Sequence, residues 1–164
     1  MTRSDILNGI FDKIVSWILA NDKKAGFIIG LGGLALGWTS EKSEALLSVL
    51  GTTYFALIII VMILGILCGI AAIFPVTMFR SSHSLLFFAD IAKDFRASGK
   101  PLNSYSSDYL ARINQNHEEA LAQQIVVVSV IARAKYRLLA ISFILLLIGF
   151  MASVTSIAIH SIQS

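Results

Sequence analysis

Charge is scarce in this sequence. Of its 164 residues only 14% are Asp, Glu, Lys or Arg, against roughly 25% in an ordinary soluble domain, while 56% are hydrophobic. The apolar residues are gathered into long uncharged blocks rather than spread at core-like intervals. That pattern excludes a water-soluble globular domain and predicts an all-α integral membrane protein. Cysteine is nearly absent. The single Cys68 lies inside an apolar block, so no intramolecular disulfide or thiolate metal cluster can form. Catalytic signatures are missing as well. The three histidines, His83, His117 and His160, sit in separate contexts, and no HExxH, GxSxG or GxxxxGK[ST] sequence occurs. His117, Glu118 and Glu119 are consecutive, and neighbours on a helix point apart, so they are read as a solvated face. No catalytic role, metal or cofactor is expected. A secretory leader is not expected either, because Asp12 and Lys13 fall where its apolar core would lie.

What is present is a series of helical patterns. From Ser4, a candidate N-cap, Ile6, Leu7, Ile10, Phe11, Ile14, Val15 and Ile18 recur at helical spacing. Residues 1–24 therefore read as an amphipathic helix that either lies in the membrane interface or packs on a partner. Residues 25–79 read as two spans. The first, Ala25 to Ser40, is uncharged but short, about 24 Å at ~1.5 Å per residue against a ~30 Å hydrocarbon core. It becomes adequate if Lys23 and Lys24 snorkel and Trp38 marks the outer interface. Gly26, Gly30, Gly33 and Gly37 lie on one face, a close-packing surface for another helix in lipid. A turn at Glu41 to Glu44 precedes the second span, inside the 35 uncharged residues from Ala45 to Phe79, with a small pair at Gly65 and Gly69 and a kink expected at Pro75.

Residues 80–137 read as an antiparallel helical hairpin, broken at Gly99, Pro101, Asn103, Ser104 and Ser106, with Ser107 or Asp108 able to cap its second helix. Residues 138–164 hold the third span, Leu138 to Ile159, with small residues at Gly149, Ser153 and Ser156, and a short C-terminus. The stretch from Arg80 to Arg137 carries eight of the thirteen Lys and Arg residues, the segment through Lys24 four, and the intervening turn only Lys42. The positive-inside rule then puts the N-terminus and the hairpin in the cytosol.

The net charge of +3 lies beside apolar blocks, where it meets anionic lipid rather than a nucleic-acid polymer. The topology gathers Asp22, Lys23, Lys24, Arg80, Arg133, Lys135 and Arg137 at one inner-edge level. An acid contributes little to orientation, so Asp22 is expected to pair, with Lys135 or Arg137 as its partner and Lys24 nearby. Arg133 and Arg137, four apart with Tyr136 beside them and Arg80 opposite, form a candidate anion site, because a guanidinium fork can grip two phosphate oxygens. Tyr109 and Arg112, near the hairpin tip, are the other candidate.

Three short segments resemble a known family. Asp22-Lys23-Lys24-Ala25-Gly26 resembles the D-x-K-A-G start of the first span in the transmembrane effector domain of bacterial Pycsar antiphage systems. Leu85-Leu86-Phe87-Phe88-Ala89-Asp90-Ile91-Ala92 is similar to that family's L-L-Y-F-G-D-I-A stretch, with Phe87 and Phe88 as the aromatic pair and Ala89 for glycine. Lys135-Tyr136-Arg137 resembles its K-Y-R before the last span. Order and spacing agree over nearly the whole chain. The resemblance implies a receptor in the bacterial inner membrane for a cyclic pyrimidine mononucleotide, cyclic UMP or cyclic CMP, made by a partner cyclase. It implies that the effector oligomerises or rearranges, impairs the membrane and so aborts infection. Two other classes fit the residues: a defence effector answering cyclic oligonucleotides, and a non-sensing structural or holin-like membrane protein.

The three-span reading predicts that a reporter fused after Ser164 lies outside the cytosol and one inserted at Gly99 lies inside. A cytosolic C-terminus removes the reading.

Overall fold

A computed structural model describes residues 2–74 and 88–163. Among the described residues every element is a helix: α1 (Arg3–Glu41), α2 (Ser43–Ile73), α3 (Phe88–Ser98) and α4 (Leu102–Gln163). Two stretches are long and apolar enough to cross a membrane, Ser43–Ile73 and His117–Ile162, with mean hydropathies of 3.1 and 2.5. The uncharged part of α1 does not join them, being only sixteen residues long and rich in glycine. The chain divides into two compact units.

The first unit comprises Met1–Ile18 and Val76–Arg133. Its α1 segment starts at Thr2 rather than the expected Ser4. Thr2 N donates to Asp5 Oδ2 at 2.7 Å, and Asp5 N donates to Thr2 Oγ1 at 3.2 Å. This reciprocal cap needs an acceptor three residues on, which Thr2 finds in Asp5 and Ser4 would not find in Leu7. The bonds to Thr2, the backbone N–H first, hold the Asp5 carboxyl below its usual range. The apolar face of α1 then packs Ile14 against Val128 and Ala132 of α4, with Phe11, Val15, Ile18 and Ile125 around them.

Helix α3 ends at Ser98, and Gly99 takes a left-handed conformation (φ 61°) that favours glycine. Helix α4 begins at once, at Leu102, with Tyr105 N donating to the Pro101 carbonyl at 3.0 Å. The expected caps Ser107 and Asp108 lie inside the helix, and Ser106 and Ser107 turn their hydroxyls back to the Asn103 carbonyl. Local preference for a turn yields here to Tyr105. Its ring is buried against Phe95, and its hydroxyl donates to the Ile91 carbonyl at 3.3 Å.

The second unit comprises Leu19–Pro75 and Ala134–Ser164. Buried residues on α4 recur at Lys135, Leu139, Ser142, Leu146, Gly149, Ser153 and Ser156, and on α2 at Ile58, Met62, Gly65, Gly69 and Ala72. Alternating steps of four and three give the seam of a left-handed coiled coil. α1 contributes Asn21, Ala25, Gly32 and Thr39 at the same heights, so α4 runs parallel to α1 and α2 antiparallel to both. Ala25 meets Ala72 and Leu139, and Thr39 lies against Met62 and Ser153. Outward positions are apolar, including Leu57, Ile60, Leu67, Phe143 and Ile148, as expected of helices whose solvent is lipid.

The glycines that permit this approach are Gly32, Gly65, Gly69 and Gly149. A Cβ on Gly32 or Gly65 would lie 2.9 Å from Leu146, one on Gly69 2.9 Å from Ile29 and Ser142, and one on Gly149 would overlap Met62. Gly26, Gly30, Gly33 and Gly37, the face expected to pack, meet nothing within 4 Å in the chain. Gly32 takes that part because the α1 seam follows Ala25 and Thr39, and the four glycines fall to one side of it. The turn before α2 shrinks to Lys42, and α2 breaks instead at Gly51, whose φ of 71° and ψ of 167° suit glycine almost exclusively. The remaining 22 residues to Ile73 rise about 33 Å, enough for a span. Phe74 is extended (φ −65°, ψ 141°), as a residue before proline prefers. The expected kink at Pro75 lies outside the described residues.

Gly69→Ala is expected to lower stability by about 1–3 kcal/mol through overpacking, whereas Gly30→Ala should leave it unchanged or slightly raised. Thermal unfolding in detergent distinguishes them, and equal effects would contradict this packing.

Candidate functional site

Lys135 stands at a core position of α4, with only 6% of its side chain exposed. Its ammonium donates to Asp22 Oδ1 at 2.6 Å and to the Ile73 carbonyl at 3.1 Å. Ile73 is the last helical residue of α2, so its carbonyl is one of those a helix end leaves without an intrahelical partner, and the helix dipole adds negative potential there. One side chain therefore joins α1, the end of α2 and α4. Asp22 keeps 30% of its side chain exposed, which leaves the second face of its carboxylate open to solvent or to another cation.

Beside this knot the core is less well satisfied. Asn21 is fully buried, and neither its Oδ1 nor its Nδ2 has a hydrogen-bond partner. The Ser142 hydroxyl, also fully buried, is in the same condition. Each such group carries a desolvation penalty of about 1–3 kcal/mol. Farther along, Thr39 Oγ1 donates to the Ala35 carbonyl at 2.9 Å and reaches Ser153 Oγ at 3.3 Å, and Ser48 meets His160 at 3.4 Å.

Of the residues singled out in sequence, the structure brings Asp22 and Lys135 together. Lys24 is exposed and forms no ion pair among the described residues. Arg133 and Arg137 are exposed on α4, four apart, and Tyr136 between them is 40% exposed. Arg80 lies outside the described residues.

The hairpin of the first unit holds a second concentration of polar groups. Tyr105 stacks near Tyr109 with centroids 6.1 Å apart, and the Arg112 guanidinium lies 5.9 Å from the Tyr105 ring. Positions 105, 109 and 112 share one helical face, and sequence brought two of them forward as an aromatic and a basic residue near the hairpin tip. Around them a groove of about 660 Å³ is lined by Asp94, Ser98, Lys100, Tyr105, Asp108 and Arg112. Lys100 and Asp94 were not legible as members, since only the Gly99 turn brings α3 back onto this face. Lys100 Nζ donates to Asp108 Oδ2 at 2.5 Å, and that bond, reinforced by the lysine's charge, holds the Asp108 carboxyl below its usual range. Burial pushes the Tyr109 phenol up.

Long helices with membrane-length apolar stretches, a seam of small residues and a buried ion pair define a helical membrane-type protein. The family model described as the Pycsar effector protein domain matches residues 6–160, and the chain belongs to that family, whose members serve as effectors of antiphage defence. No curated protein and no solved structure matches the chain.

Asp22→Ala leaves the Lys135 ammonium buried with one carbonyl, and is expected to destabilise by about 3–5 kcal/mol. Lys135→Met should cost less, because Asp22 can hydrate, and the double variant should lose less than the sum of the two. Additive losses in thermal unfolding would show that the pair is not coupled.

Proposed function

We propose that this chain is an inner-membrane defence effector that binds a cyclic pyrimidine mononucleotide, cyclic UMP or cyclic CMP, supplied by a partner cyclase. It responds by rearranging its helices and assembling with further copies, which impairs the membrane. Membership of the Pycsar effector family supports the defence role. The observation that carries the rearrangement is the core of the second unit, where one ion-pair knot coexists with unpartnered Asn21 and Ser142. A packing that buries unpaired polar atoms is one that a different helix arrangement can improve. The proposal includes three spans, with residues 25–40 as the first, the N-terminus and hairpin in the cytosol, and action by binding without catalysis. Gly26, Gly30, Gly33 and Gly37, open in the single chain, suit close approach by a second copy.

The ligand is assigned to Arg133, Tyr136 and Arg137, with Arg80. The first three flank Lys135 on α4, so a ligand that draws on them acts on the helix turn bearing the knot. Exposed guanidinium groups can take a phosphodiester in fork geometry and stack on a base. A second reading places the ligand in the hairpin groove at Tyr109 and Arg112, favoured by a volume within the ~300–1,000 Å³ of small-molecule sites. Against it, Lys100 is already neutralised by Asp108, and Asp94 adds negative charge.

The test is a panel of cyclic nucleotides titrated against the detergent-solubilised protein. Arg133→Lys with Arg137→Lys preserves charge and insertion but should weaken cyclic UMP or cyclic CMP binding by at least about tenfold, a loss of about 1.4 kcal/mol. Unchanged binding there, with loss on Arg112→Lys, moves the site to the groove. Unchanged binding in both removes the assignment.

A further inference from the structure

Within the second unit, α1 and α4 line an apolar groove of about 430 Å³. Its floor is buried or partly buried, formed by Ile28, Gly32, Ala35 and Leu146. Its walls are exposed, with Phe27 at 68% and Phe143 at 53%, and Trp38 meets Phe150 at its far end, ring centroids 5.6 Å apart. Lys24 stands three and four residues before Phe27 and Ile28, hence on the same face of α1, directly below the groove's near end. It is exposed and unpaired among the described residues. From Lys24 to Leu34 the helix rises ~15 Å, half of a ~30 Å hydrocarbon core and therefore the depth of one leaflet.

We infer that this groove is a binding site for an anionic glycerophospholipid, with one acyl chain between Phe27 and Phe143 and the phosphate on Lys24. The assignment rests on residues 25–40 spanning the membrane. Charge complementarity selects the occupant. A second copy of the chain would fill the apolar walls without bringing an anion, and the phosphate of a zwitterionic lipid is already balanced by that lipid's own ammonium, so a lipid of net negative charge answers Lys24 best. The lipid covers exposed aromatic surface that the chain itself leaves open, and its headgroup sits two residues along α1 from Asp22 and the knot.

The test uses the full chain carrying Trp17→Phe, Trp38→Phe and Phe143→Trp, reconstituted in vesicles of phosphatidylglycerol and phosphatidylcholine. Bromines are placed on the acyl chains of one lipid at a time. At equal mole fraction, brominated phosphatidylglycerol should quench the residue-143 fluorescence with a relative binding constant about fivefold that of phosphatidylcholine, the effect of one lysine at an anionic surface. Lys24→Gln should bring the ratio close to one, whereas Lys23→Gln, toward the open glycine face, should leave it high. Equal quenching by the two lipids, or equal loss in both lysine variants, overturns the site while leaving the span intact. Absence of quenching by either lipid overturns the site and the span together.

Discussion

A single buried ammonium sets the geometry on which the second unit depends. Lys135 can sit in an apolar core only because two acceptors converge on it, the Asp22 carboxylate from α1 and the Ile73 carbonyl at the end of α2. Neither acceptor is free to move without stranding a charge where solvation is poor. The bond to Ile73 fixes where α2 stops relative to α4, and the bond to Asp22 fixes the height of α1. The seam above inherits both settings: Ala25, Ala72 and Leu139 meet next, and then Gly32, Gly65 and Leu146.

Small residues convert that register into close contact. A helix bundle in lipid gains little from burying apolar surface, since the surroundings are equally apolar. Cohesion must come from dispersion at short range and from hydrogen bonds. Gly32, Gly65, Gly69 and Gly149 sit where no Cβ would fit undisturbed, while the large side chains Leu57, Ile60, Leu67 and Ile148 point outward. The polar residues of the seam are unevenly served. Thr39 and Ser153 find partners, whereas Asn21 and Ser142 do not. This contrast leaves the core with one strong holding interaction beside buried polar groups that nothing compensates.

Part of this was readable before the fold was known. Asp22 stood out because an acid at the membrane edge contributes little to orientation, which marked it for a cation. The uncharged run through Ile73 and the run from Leu138 onward were legible from length alone. The misplaced details share a cause. Ser4 and Ser107 are residues that cap helices, but the cap goes where a reciprocal acceptor exists, at Thr2 with Asp5, or where an aromatic anchor draws the helix forward, at Tyr105.

The amino-acid sequence by itself determined an all-helical chain with membrane-length apolar stretches, the family to which it belongs, and the presence of an unpaired acid needing a base. The helices and the acid follow from composition, period and charge, which act locally, and the family from the resemblance of three short segments. Only the tertiary structure decided which glycine of α1 faces the bundle, because that depends on the rotation of α1 that aligns Ala25 and Thr39 with α4. It likewise decided that Lys135 rather than Arg137 takes Asp22. Both bases lie in one short segment of α4, two residues apart, but the seam turns one of them inward and leaves the other exposed.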